Sequence, residues 1–194
     1  MTRIIAGFAG STALGVPKSG TRPTSDRVRE ALFSALEARD EIAGLRVADL
    51  YAGTGALGLE AASRGASAVT LVELGAQAAR VCRSNAALVT ARAPRGSGPR
   101  IDVVAGSVRS YVSHLATRSL DVVFIDPPYE LPEDELRLDL EALEPGLDAD
   151  ALVVVERRAR SGEPAWPAGL ALETRKAYGD TVLWWARAAS APAE

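Results

Sequence analysis

Two short runs of the chain hold residue types whose spacing suits chemistry. The first is Asp49-Leu50-Tyr51-Ala52-Gly53-Thr54-Gly55-Ala56-Leu57-Gly58. Glycines so spaced let the backbone bend sharply and let a ligand approach the peptide N–H groups at a helix start. Gly53-x-Gly55-x-x-Gly58 also fits a dinucleotide fingerprint, with Glu73 at the end of the next strand to take ribose hydroxyls. Two adenosine-bearing cofactors are therefore open, NAD(P) and S-adenosylmethionine. Asp49 favours the second, because a carboxylate repels a pyrophosphate but suits the ammonium end of a methionine moiety.

The second run, Leu120-Asp121-Val122-Val123-Phe124-Ile125-Asp126-Pro127-Pro128-Tyr129, sets Asp-Pro-Pro-Tyr at the carboxyl end of an apolar strand. In open α/β sheets that end is where ligands bind, beside the topological switch point. The two prolines fix the backbone, so the Asp126 carboxylate and the Pro127 carbonyl can face one pocket. Together they offer two acceptors for an exocyclic amino group, and Tyr129 offers a flat face on which a base can stack. A glycine turn can be purely structural, and Asp-Pro-Pro can simply stop a strand. Strand, glycines, helix and acid in correct order weigh against both.

Other reactive residue types offer less. Cys82 falls mid-helix among Ala79, Val81 and Ala86 and reads as a buried core thiol, which argues against pyrimidine C5 methylation through a cysteine nucleophile. His114 reads as a surface or packing residue, and Asn85, Trp166, Trp184 and Trp185 read as structural. With one cysteine and one histidine, an intramolecular disulfide and a Cys- or His-rich metal site are excluded. No metal is expected.

The elements that must position these runs alternate. Strands are predicted at 46–50, 68–72, 101–105, 120–125 and 152–155, and helices at 57–64, 76–88, 108–116 and 133–143. Two closing strands, 170–177 and 181–187, meet at Tyr178-Gly179-Asp180. Ahead of them, residues 3–8 and 12–16 suit a small hairpin. A helix then starts near Pro23 with a Thr24 or Ser25 cap and an apolar stripe of Val28, Leu32 and Leu36. Short unalternating apolar strands between amphipathic helices indicate a doubly wound, mostly parallel α/β sheet with an antiparallel hairpin at its edge. The organisation expected is an N-terminal hairpin-and-helix extension (1–40), one sheet domain (41–188) and a tail (189–194).

The chain of 194 residues, 47% hydrophobic and 24% charged, is long enough for one cored domain. Its start has no signal-peptide or membrane-span pattern, so a cytoplasmic protein is expected. Charge is uneven. Residues 130–150 hold nine acids against one arginine, whereas the first thirty hold five bases against two acids. One basic and one acidic face can coexist, only the first meeting phosphate.

Asp49–Gly58, Glu73 and Asp126–Tyr129 together resemble the class I S-adenosylmethionine-dependent methyltransferases that modify exocyclic amino nitrogens of bases. Arg3-Ile4-Ile5-Ala6-Gly7, Thr21-Arg22-Pro23-Thr24, Asp26-Arg27-Val28-Arg29-Glu30 and Leu32-Phe33 resemble the N-terminal signature of the bacterial 16S rRNA guanine-N2 methyltransferases. Tyr178-Gly179-Asp180-Thr181 is similar to that family too. The resemblance spans nearly the whole chain and implies a seven-stranded Rossmann-like fold with S-adenosylmethionine as cofactor. It implies 16S rRNA of the 30S subunit as partner, and a monomer. Residue by residue, it implies a catalytic corner of Asp126, Pro127, Pro128 and Tyr129. The implied cofactor contacts are Asp49, Tyr51, Gly53, Gly55, Leu57, Glu73, Leu74, Gly106 and Ser107, and the RNA contacts Lys18, Arg22, Arg27 and Arg29.

Two departures stand out. Gly10-Ser11-Thr12-Ala13-Leu14 replaces a basic pair usual in the first hairpin, and Gly106-Ser107 stands where many class I enzymes hold the adenine with an acid. Asp-Pro-Pro-Tyr is shared with DNA adenine methyltransferases, so adenine-N6 methylation of DNA or RNA is an alternative, as is an NAD(P)-dependent oxidoreductase.

Overall fold

The computed structural model describes residues 2–16 and 25–189. Lys18, Arg22 and the Thr21–Thr24 stretch lie outside the described residues. The described chain runs α1 (Asp26–Glu37), β1 (Arg46–Leu50), α2 (Ala56–Ser63), β2 (Ala68–Glu73), α3 (Ala76–Thr90), β3 (Arg100–Ala105), α4 (Val108–Val112), β4 (Leu120–Ile125), α5 (Glu133–Leu143), β5 (Leu147–Arg158), β6 (Leu170–Tyr178) and β7 (Thr181–Ala188). The strands form one seven-stranded sheet in the order β3-β2-β1-β4-β5-β7-β6. The first five are parallel and β7 pairs antiparallel with both β5 and β6. This is the doubly wound sheet expected.

Successive strand residues feed opposite faces, which is why the strands read as unbroken apolar runs. Val47, Val122, Phe124, Val154 and Trp185 face α1, α2, α3 and the N-terminal segment. Ala48, Leu50, Val123, Ile125, Val153 and Trp184 face α4 and α5. On the first face Phe33 of α1 meets Phe124 of β4 edge to face, centroids 5.6 Å apart. The two tryptophans are buried in the sheet, as the sequence suggests.

The N-terminal residues fold back on themselves through an antiparallel Arg3–Ala13 bridge, with Ile4 donating to the Thr12 carbonyl and Leu14 to that of Thr2, both at 2.9 Å, and they are tied to α2. The buried Glu60 carboxylate accepts the N–H groups of Ile5 (2.7 Å) and Ala6 (3.0 Å), and the Ser63 hydroxyl accepts that of Ala9 (2.9 Å). Ser25, not Thr24, caps α1, accepting the Val28 N–H at 3.3 Å.

Two elements differ from expectation in length by more than two residues. Helix α4 stops at Val112 rather than 116: the His114 ring nitrogen takes the Ser110 carbonyl, and the His114 N–H donates to the Tyr111 carbonyl instead at 3.1 Å. Strand β5 runs twelve residues where only 152–155 were expected. Its charged end, Glu156–Arg158, does not read as strand, but pairing with Val182–Leu183 and Thr181 of β7 carries it on.

Candidate active site

Strands β1 and β4 are neighbours, and here the strand order reverses. Leu50 pairs with Ile125, so whatever follows either strand emerges beside the other. At this point a cavity of about 760 Å³ opens at the carboxyl edge of the sheet, a size suited to a small-molecule ligand. Its wall includes Asp49, Tyr51, Gly53, Leu57, Glu73, Leu74 and Ser107 on one side and Asp126, Pro127, Pro128 and Tyr129 on the other. The two runs singled out in the sequence thus share one chamber.

The glycine turn is drawn tight by packing. Gly55, with φ +77°, caps α2, and a Cβ there would sit 2.9 Å from the Cys82 sulfur. At Gly58 a Cβ would come within 2.3 Å of a Leu71 methyl, so α2 lies too close to β2 for any larger residue. Asp49 reaches across the turn to accept the Gly58 N–H at 2.8 Å. Glu73 joins two turns, accepting from Gly53 (2.9 Å) and Gly75 (2.6 Å). Each carboxylate keeps lone pairs beyond these bonds. The first residues of α2, Ala56 and Leu57 on the cavity wall, and the two acids fit a ligand with a cationic end and vicinal hydroxyls. Leu74, 71% exposed at the rim, offers an apolar surface to a flat ring.

Electrostatics distinguishes Asp49. Burial is the main cause that pushes its carboxyl up to about 7, with the Asp126 and Glu73 charges adding and the Gly58 N–H opposing. A buried acid beside like charges is relieved by a cation. Cys82 is buried and its thiol is pushed up to about 12, so it is inert as a nucleophile. Among the described residues no group of three His, Cys, Asp or Glu could hold a metal ion, and no helix is long and apolar enough to cross a membrane.

Gly55 and Gly106 lie off the cavity wall. Gly55 is buried beneath the turn, and Gly106 donates its N–H to the Glu73 carbonyl at 3.1 Å. Ser107 lies on the wall and caps α4, accepting from Ser110 at 3.2 Å. Of the expected RNA contacts, Arg27 is exposed on α1. Arg29 is fully buried, one guanidinium nitrogen donating to the Arg3 carbonyl (2.7 Å) and to Asp26 (2.8 Å). It ties α1 to the N-terminal segment and cannot touch RNA, which corrects that expectation. Helix periodicity held the signal, since Arg29 falls next to Val28 on the side shared with Leu32, Phe33 and Leu36.

Sequence reasoning missed the wall built by α4 and α5. Tyr51, at φ +63°, points its hydroxyl at Asp139, which accepts it in a short hydrogen bond. The second Asp139 oxygen accepts from Arg109 Nε at 2.5 Å. Asp139 falls between Leu136 and Leu140 on the buried face of α5, and a carboxylate on an apolar stripe was the legible sign. Burial, with the Asp139 hydrogen bond adding, raises the Tyr51 hydroxyl far above its ordinary range, so it stays a donor. Beyond Asp126 the loop turns through a Leu131 N–H to Pro128 carbonyl bond of 2.9 Å. Arg157, 5% exposed, braces it from β5 by pairing with Glu133. The neighbouring Arg158 lays its guanidinium over the Tyr129 ring, 3.7 Å from the centroid.

The family model described as Conserved hypothetical protein 95 matches residues 2–187. Ribosomal RNA small subunit methyltransferase D of Escherichia coli K12 is 36% identical over 181 residues, 93% of this chain and 86% of the relative. The solved yhhF protein of Escherichia coli superposes with a TM-score of 0.80 at 32% identity, over 96% of this chain and 97% of that one. Magnesium protoporphyrin IX methyltransferase of Synechocystis PCC 6803, solved with bound SAM, shares the fold at a TM-score of 0.63 and 15% identity, over 88% of this chain and 87% of that one.

Proposed function

Because this chain belongs to the conserved hypothetical protein 95 family, together with the small subunit methyltransferase D proteins, we propose that it methylates 16S rRNA. The target is the exocyclic N2 amino group of a guanine, and S-adenosylmethionine is the donor. The observation that carries this reading is the single cavity shared by the glycine turn and the Asp126–Tyr129 corner. The protein acts as a monomer, in the cytoplasm, on the small ribosomal subunit.

The residues fit the cofactor. Asp49 suits its ammonium group, Glu73 its ribose hydroxyls, and Leu74 with Ser107 its adenine. When bound, S-adenosylmethionine supplies a methyl group on a positively charged sulfur, an excellent leaving group. What remains for the protein is alignment. A guanine amino group has its lone pair delocalised into the ring. Donating its N–H groups to the Asp126 carboxylate and the Pro127 carbonyl favours the pyramidal, nucleophilic form and offsets the positive charge that develops. Tyr129 stacks on the base and recovers part of the few kcal/mol that leaving its helix or loop costs. Asp49 beside the turn weighs against an NAD(P) pyrophosphate. Exposed bases in ribosomal RNA loops suit a pocket that reads one base edge.

Mass mapping of modified nucleosides in 16S rRNA tests the reading. Deletion of the gene should remove one N2-methylguanine, and the purified protein with S-adenosylmethionine should restore it. A deletion strain with an unchanged N2-methylguanine map, or restoration only at an adenine N6, would overturn it.

A further inference from the structure

The proposed reaction needs a base platform that does not swing, yet Tyr129 sits in a loop at the cavity mouth, half-buried and beside the exposed Pro128. The group that meets the ring is Arg158, the last residue of β5, whose guanidinium carbon lies 3.7 Å from the ring centroid. That distance is one of face-to-face stacking. Tyr129 lines the cavity and Arg158 does not. A guanidinium stacked on one face of the ring leaves the opposite face for a base.

The arginine is itself well placed. Its backbone is paired with Thr181 of β7, and the next residue, Ala159, donates its N–H to Asp180 at 2.9 Å. Arg157 points to the other side of the strand and braces the same loop through Glu133. Arg158 makes no salt bridge among the described residues, although acids crowd the adjoining α5. Among the described residues its side chain meets the Tyr129 ring.

We infer that Arg158 is a positioning residue that clamps the Tyr129 ring from behind and so fixes the plane on which the target base stacks. A flat guanidinium can do this and a lysine ammonium cannot, because only the former matches the ring face over its whole area. The inference rests on the proposed base methylation, since it assigns Tyr129 to the base.

The test is methyl transfer from labelled S-adenosylmethionine to 30S subunits taken from a strain lacking the gene. Arg158→Ala should lower kcat/KM for the subunits about tenfold, the scale of a partly desolvated cation–π contact. Affinity for S-adenosylhomocysteine should stay within about twofold. Arg158→Lys should be as poor as Arg158→Ala, and in a Tyr129→Ala background Arg158→Ala should cost nothing further. If the alanine variant does not fold, Arg158→Met, which keeps the stem, should show the same tenfold loss. Rescue by lysine would make Arg158 a phosphate contact and overturn the clamp. An undiminished tenfold loss in the Tyr129→Ala background would do the same, as would unchanged kcat/KM in Arg158→Ala. A wild-type protein inactive on these subunits would instead remove the function on which the inference rests, so the two failures are distinct.

Discussion

The two edges of the parallel sheet treat their acids in opposite ways. At the amino edge, Arg46 is gripped between Asp121 and Asp148, with Nη2 2.6 Å from each and Nε 2.9 Å from Asp121. The Arg46 hydrogen bond holds the Asp121 carboxyl below its ordinary range. At the carboxyl edge, Asp49 accepts one peptide N–H, faces two further acids and is pushed up to about 7. Paired charge at one edge serves the fold. At the other, Arg109 pairs with Asp139 on the cavity wall, while the buried Asp49 carries a raised carboxyl that a nearby cation would relieve.

The sharpest way to break this contrast is at the carboxyl edge. Asp126→Asn should cut methyl transfer at least about 100-fold while leaving S-adenosylhomocysteine affinity nearly unchanged in a calorimetric titration. Turnover near the wild-type level would show that the acidic corner is not where the amino group is held.

Asp49 sharpens the contrast through pH. Its raised carboxyl means that the folded protein holds the proton more tightly than the unfolded chain does. Its contribution to stability is therefore present below the ordinary carboxylate range and is lost as pH rises through about 7. Binding of a cation should follow the opposite course, strengthening as pH rises through the same window. In Asp49→Asn the affinity for S-adenosylmethionine should be roughly tenfold lower at pH 8, and both slopes should flatten. Isothermal titration and thermal melts at several pH values read this, and an unaltered slope would assign the titration to another group.

At the amino edge the same operation should touch stability alone. Arg46→Ala should cost about 1 kcal/mol, since Arg46 and Asp148 are partly exposed, a fall in Tm of a few degrees, with kcat unchanged for the protein that remains folded. The smallest effect belongs to the surface. Arg27→Ala should weaken RNA binding only a fewfold and reduce the salt slope by about one. Arg29→Ala should leave that slope alone and lower Tm instead, because Arg29 is buried.

The carboxyl edge was readable because its chemistry is local in sequence. Glycine spacing and Asp126-Pro127-Pro128-Tyr129 are each continuous, and the alternation of elements dictates that both emerge at one edge. What escaped reading depends on partners far along the chain. Asp139 gains meaning only once α5 packs on α4 and brings Tyr51 and Arg109 to it. Arg158 reads as a loop arginine until β7 extends β5 beneath it. Arg29 reads as a phosphate contact because a string of letters gives its charge and not its depth. The acidic run over 130–150 reads as solvated surface, yet Glu133, Asp139 and Asp148 are matched by arginines from three other elements.

Asn85 sets the order in which this molecule can be finished. Its amide holds the Thr54 carbonyl, 31 residues upstream, and the Gly15 backbone, 70 residues upstream, at 2.8–3.0 Å. Contacts that span so much chain close late. A nascent chain leaving the ribosome with β1 and α2 complete therefore still has an open, unlocked turn. The glycine turn is locked from the side of Asn85 only after α3 has docked against it.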